Sequence, residues 1–166
     1  MQELTETEIR ACFVNATKGE SKRLALPKDL ATLPWDDLDF LGWRDPAAPQ
    51  RAYVVASTGG VTTGVALRLA DSTAGRRRRN MCAVCLTTHP GDGVSLMTAR
   101  KAGRSGQQGN SVGTYLCSDL ACSLYVRGLR SAGPGSRLQE SLSLEDQSER
   151  LVSRLQAFLD GVARES

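Results

Sequence analysis

Four cysteines constrain this chain more than any other feature. Cys82 and Cys85 are separated by two residues, Cys117 and Cys122 by four, and residues 86–116 lie between the pairs. Two close pairs joined by a long loop is the usual layout of a structural zinc site. A CxxC turn lets two thiolates converge from one tight knuckle. The second pair falls where a β-rich run, "SVGTYLC", meets a helical one, "SDLACSLYVRGLR". With Cys117 leaving the strand and Cys122 one turn into the helix, both sulfurs face one ion, because a helical turn advances about 5.4 Å. Between the pairs, "VSLMTAR" and "SVGTYLC" flank the Gly-containing loop "KAGRSGQQGN" and read as a hairpin. Knuckle, hairpin and ligand-bearing helix, in that order, describe a treble clef. The expected ion is one structural Zn²⁺ held by Cys82, Cys85, Cys117 and Cys122. Four thiolates on it leave two negative charges, which a helix N-terminus and nearby arginines offset.

Other readings of the same cysteines carry less. A thioredoxin-like redox pair at Cys82 and Cys85 does not require the second pair, and "LTTHPG" is short for the helix that usually follows. The single histidine, His89, either replaces one cysteine or sits just behind the ligands. Beside Pro90 and Gly91 it reads as an exposed or outer turn. A hydrolytic zinc needs an open position and a general base, and the module holds only Asp92 and Asp119 as carboxylates. There is no phosphate loop, dinucleotide fingerprint or nucleophile–base pair, so no residue is assigned a catalytic role and the chain reads as a binding module rather than an enzyme.

Charge is distributed unevenly. Residues 1–75 carry 8 Lys/Arg and 10 Asp/Glu, residues 76–130 carry 9 and 2, and residues 131–166 carry 4 and 6. The cysteine-bearing segment is therefore the basic one, which favours an acidic protein face or a nucleic acid as partner. Tyr115 and Tyr125 are its only candidates for base stacking. The N-terminus lacks the pattern of a signal peptide and no apolar run approaches membrane-spanning length. A cytoplasmic protein with reduced thiols follows as the expectation.

The rest of the chain divides around that module. "LTETEIRACF" opens a helix with a Thr5/Glu8 capping box and a Leu4/Ile9 staple. Ile9, Cys12, Phe13 and Ala16 continue its apolar face, and Gly19 ends it. Cys12 reads as a plain buried thiol. "LPKDLATLPWDDLDFLGWRDPAAPQ" is turn-rich, with Trp35, Leu38, Leu41 and Trp43 as core plugs, Pro27 and Pro34 opening short helices, and Asp36, Asp37 and Asp39 on a solvated face. "RAYVVA" and "VTTGVALRLA" form a hairpin around "STGG". "DSTAGRRRRN" is a basic connector and "SAGPGS" a flexible linker. "SLSLEDQSERLVSRLQAFLDGVAR", residues 141–164, forms an amphipathic helix with Ser143 and Asp146 as a capping pair, its stripe made of Leu144, Leu151, Leu155, Phe158, Leu159 and Val162. The fold class is α+β: an N-terminal helix and hairpin subdomain (1–75) packed on a treble-clef module (76–130), then a linker and C-terminal helix (131–166). Sequence leaves the oligomeric state open.

From about residue 10 to residue 128 the chain resembles the elongation factor G-binding proteins, a family that includes fusidic-acid-resistance proteins and ends in a treble-clef zinc finger. The stretches that carry the resemblance are "FVNATKGESKRLALP", "WDDLDFLGWRDP", "MCAVCLTTHPGDGVSLMTARKAG" and "GNSVGTYLCSDLACSLYVRG". The longer N-terminal helical bundle of the resistance proteins is absent here or reduced to one helix. The resemblance implies a non-enzymatic role: binding elongation factor G and promoting its departure from the ribosome, including one stalled by fusidic acid. It also implies that the treble clef makes the contact, with Arg100, Lys101 and Arg104 around the hairpin loop and Tyr115 at its base as the contact surface. A direct contact with ribosomal RNA is the alternative.

Overall fold

The computed structural model describes residues 1–70 and 79–164. The expected basic connector, up to Arg78, lies outside the described residues. Among the described residues there are seven strands: β1 (Leu41–Arg44), β2 (Arg51–Thr58), β3 (Val61–Leu69), β4 (Asn80–Met81), β5 (Thr88–His89), β6 (Val94–Arg100) and β7 (Ser111–Cys117). Five make one antiparallel sheet in the order β1-β2-β3-β6-β7, and β4-β5 is a separate two-stranded ribbon. Both expected hairpins form. Their junction is a short ladder, Arg68 opposite Thr98 and Leu69 opposite Met97, so they share a single sheet. The first hairpin turns through Gly59 and Gly60, both at positive φ, which is the conformation a two-residue hairpin loop requires.

The sheet is covered differently on its two faces. On one, Val54, Val65, Leu67, Met97, Ala99 and Leu116 meet the C-terminal helix and the cysteine-bearing turns in the larger core. That helix, α5 (Leu144–Ala163), buries Leu151, Leu155, Phe158, Leu159 and Val162 at helical spacing. It packs on β3, β7 and α4 (Cys122–Val126). Its Ser143/Asp146 capping box is present. Leu144, expected in the stripe, is 49% exposed because it precedes the first turn that reaches the sheet. On the other face, Leu4, Ile9, Trp35, Leu41, Trp43, Tyr53 and Val55 form a second cluster over β1–β3. Both indoles there are satisfied: Trp35 Nε1 donates to the Leu30 carbonyl and Trp43 Nε1 to that of Ala25, each at 2.8 Å. This cluster stops short of β6 and β7, leaving their outer face open.

Several sequence expectations are corrected. The first helix, α1 (Glu6–Ala11), has the expected capping box but ends well before Gly19. Tertiary pairing takes over the chain: Val14 and Gly64 exchange backbone bonds with their neighbours, Val14 N to Gly64 O and Gly64 N to Cys12 O, both 2.9 Å. Asn15 then imitates a strand residue. Its side-chain amide donates to Ala66 O at 2.9 Å and accepts from Ala66 N at 2.8 Å. A second capping box at Thr17 and Glu20 starts α2 (Lys18–Arg23). "LGWR" is strand β1, not turn. The loop between β6 and β7 contains the short helix α3 (Gly103–Gln107). Asp39 is not solvated; it makes a bidentate pair with Arg127 of the segment closing α4, at 2.6 and 2.9 Å. The expected flexible linker is tied down, with Ser136 O accepting from Thr88 N at 2.8 Å and Arg137 donating to Val126 O at 2.8 Å.

Two substitutions test this architecture by chemical denaturation. Leu159→Ala opens a cavity under α5 and is expected to cost about 2–5 kcal/mol, whereas Leu144→Ala stays within about 0.5 kcal/mol. Gly64→Ala is expected to destabilise by about 1–3 kcal/mol, because its Cβ would sit 2.6 Å from the Cys12 sulfur.

Candidate metal centre

Two turns of similar construction bring the cysteines together. Strands β4 and β5 pair Asn80 with His89 and Met81 with Thr88, which throws residues 82–87 into a knuckle. Leu86 N bonds back to Cys82 O at 3.0 Å, and Cys85 N donates to the Cys82 sulfur at 3.5 Å. At the end of β7, Leu120 N bonds back to Cys117 O at 2.8 Å. Each turn closes on a leucine in the left-handed region, Leu86 at φ 61° and Leu120 at φ 57°. Such a conformation costs a non-glycine residue on the order of 1 kcal/mol or more, and persists where its surroundings over-determine it. The knuckle is bolted to the sheet by Ala83 N donating to Tyr115 O and to the C-terminal helix by Arg154 donating to Ala83 O, both 2.9 Å.

Cys82, Cys85, Cys117 and Cys122 are all buried, and their sulfurs lie within 4.8 Å of one another. Cys82 and Cys122 are 3.8 Å apart, Cys85 and Cys117 3.5 Å. A tetrahedron of sulfurs about 2.3 Å from its centre has edges near 3.8 Å. The spacing fits one tetrahedral ion and is far too long for a disulfide, which needs about 2.05 Å. Cys122 reaches the cage from the first residue of α4 rather than a turn inside it. Asp119 supports that turn, its carboxylate accepting from Ala121 N at 3.0 Å.

The electrostatics point the same way. Hydrogen bonds from Cys117 and then Cys122 hold Cys82 far below the ordinary thiol range. Cys122 is pushed well above it by Cys117 and Cys82 and by burial. Four buried sulfurs therefore cannot all ionise side by side; a cation at their centre is what permits four thiolates. Cys12 stands apart from this group. It is half-buried, donates to Ile9 O at 3.1 Å and is pushed up to about 11 by burial, so it stays a thiol.

His89 is buried, not exposed. Its Nε2 lies 3.2 Å from the Cys117 sulfur, and its ring meets Tyr125 edge-on at 4.7 Å. Burial lowers its pKa, against opposing fields from Asp119 and Cys82. Tyr125 is likewise buried, so one of the two base-stacking candidates is used internally.

A family model for the FBP C-terminal treble-clef zinc-finger matches residues 8–162. The chain belongs to that family. The match runs past residue 128, where the sequence resemblance ended, and takes in α5. The four sulfurs are accordingly positioned to bind one metal ion as a treble-clef zinc finger. Among solved structures, that of the fusidic acid resistance protein FusC aligns with a TM-score of 0.60 at 13% identity. The alignment covers 98% of this chain and 60% of that one, which shows a shared fold and a longer neighbour. No curated protein sequence matches this chain.

The four residues carried over as contact candidates do not form one cluster at the loop. Arg100 and Arg104 are exposed, and Lys101 is half-buried with its N–H donated to Asn110 O at 3.0 Å. Tyr115 is 54% exposed but sits opposite Leu96, four residues along β7 from the loop end, roughly 13 Å away. Register places Tyr115, Leu96, Thr98 and Arg100 on the same open face, with Arg68 directly across from Thr98. Sequence reasoning missed Arg68, because nothing local signals that β3 pairs with β6.

Metal removal is the corresponding test. Zinc sites of this kind contribute on the order of 10 kcal/mol to folding. Stripping the ion with a strong chelator, or substituting Cys117→Ser, is therefore expected to lower the melting temperature by about 20 °C or more, read by circular dichroism.

Proposed function

We propose that this chain is a non-enzymatic, cytoplasmic zinc-finger protein that binds elongation factor G and promotes its release from the ribosome, relieving inhibition by fusidic acid. Two things support the reading. Family membership carries the resemblance-based expectation across the treble clef. The observation that bears most directly is the open β6–β7 face, which carries exposed Tyr115 toward one end and exposed Arg100 and Arg68 toward the other.

That face suits protein recognition for physical reasons. A sheet held by a metal cage and backed by α5 loses little conformational freedom when a partner docks, so little of the contact energy is spent on ordering it. Tyrosine and arginine are the side chains most enriched among residues that dominate binding energy. The surrounding arginines speed encounter with an acidic partner and align the two surfaces. Arg104 and Lys101, at the loop end, extend the positive strip beyond the sheet. No bond in the partner needs to be made or broken: docking that favours the free over the ribosome-bound factor shifts its distribution by mass action.

Purified zinc-loaded protein is expected to co-elute with elongation factor G at low salt. Tyr115→Ala and Arg100→Glu are each expected to weaken the complex about tenfold or more, equivalent to about 1.4 kcal/mol, with zinc content and thermal stability unchanged. Absence of a complex at low salt would refute the reading. Retention of ribosomal RNA instead, with affinity falling steeply as salt rises, would move the assignment to RNA.

A further inference from the structure

We infer that His89 is the cage's outer hydrogen-bond donor: its Nε2–H donates to the Cys117 sulfur, holding that thiolate on the metal without joining the ligand set. The inference concerns how the site keeps its ion, and stands apart from the choice of partner.

Geometry separates a donor from a ligand. Nε2 lies 3.2 Å from the Cys117 sulfur. Two ligands of one tetrahedral zinc, one sulfur at about 2.3 Å and one imidazole nitrogen at about 2.0 Å, stand about 3.5 Å apart. The observed separation is within reach of an N–H···S contact, and the remaining sulfurs decide between donor and ligand. Among the described residues, the group of donor atoms mutually within 4.8 Å contains the four sulfurs and leaves His89 out. Four thiolates already complete a closed structural site. A thiolate can only accept, so the ring nitrogen that faces it, Nε2, carries a proton.

The surroundings of His89 are built for this position. Strand pairing with Asn80 fixes its backbone. The ring is held at right angles to Tyr125, whose hydroxyl donates to Asp119 at 2.8 Å. Asp119 in turn accepts from Ala121 N in the turn carrying Cys122. On the far side, Gly93 leaves room for the imidazole. A Cβ there would lie 2.5 Å from His89 Cβ and 2.8 Å from Nδ1. The residue is only 5% exposed, which limits competition from water.

The physical role follows from charge. A zinc–tetrathiolate centre carries two excess negative charges in a buried setting. An N–H aimed at one sulfur spreads that charge and fixes the sulfur's orientation. Loss of such outer partners typically costs about 10- to 100-fold in metal affinity.

Competition for Zn²⁺ against a chromogenic chelator tests this. His89→Phe keeps a ring against Tyr125 and removes the donor; His89→Gln places an amide N–H near the position of Nε2. The zinc dissociation constant is expected to rise about tenfold or more in His89→Phe and to return to within about threefold of the parent in His89→Gln. An unchanged constant in His89→Phe would overturn the inference. Should that variant fail to fold, ¹⁵N-imidazole NMR of the unmodified, ¹¹³Cd-loaded protein decides. A proton on Nε2 is the expected result; a proton confined to Nδ1, or a nitrogen bonded directly to cadmium, overturns it.

Discussion

The convergence of four sulfurs on one point organises the rest of this molecule. Cys82 and Cys85 come from a knuckle between two-residue strands, Cys117 from the end of β7, and Cys122 from the first residue of a five-residue helix. None of these pieces has the length to hold its shape in isolation: a two-residue ribbon and a single helical turn lie below the size at which local structure persists in water. Joined through an ion they become one rigid corner, and that corner tolerates two leucines in left-handed conformation. From there the β6–β7 hairpin extends outward, and its ladder with β3 joins the metal module to the N-terminal hairpin in a common sheet.

Asymmetric covering of that sheet links fold to function. The C-terminal helix and the cysteine turns close one face. The N-terminal segments close the other only over β1–β3, because their docking ends at Asn15, Gly64 and the two tryptophans. What remains is a firm surface with an aromatic ring and arginines on it. The cage beneath it is built as a structural site: all its donors are thiols, all are buried, and the one nearby imidazole faces a sulfur.

Legibility in the sequence followed the range of the signal. The cysteine spacing, both hairpins, the Thr5 and Ser143 capping boxes and most of the α5 stripe are encoded within a few residues of where they act, and each could be read. The T-x-x-E pattern at Thr17 was equally local, but the apolar spacing through Ala16 suggested a longer first helix and hid it. Strand β1 was obscured by the aspartates and prolines around it; only its pairing with β2 makes "LGWR" extended. The end of α1, the Asn15 graft, the Asp39–Arg127 pair and the burial of His89 depend on contacts between residues tens of positions apart. No local pattern announces such contacts. The same holds for the open face, where register brings Arg68 directly across from Thr98.

The central claim is that one zinc ion sits among four cysteine sulfurs. X-ray absorption at the zinc edge of the freshly purified, unstripped protein addresses it most directly, together with metal content per chain. The account predicts one zinc per chain, with a shell fitted by four sulfurs at about 2.3 Å and no nitrogen or oxygen. Substoichiometric zinc, or a shell with fewer than four sulfurs, would contradict it.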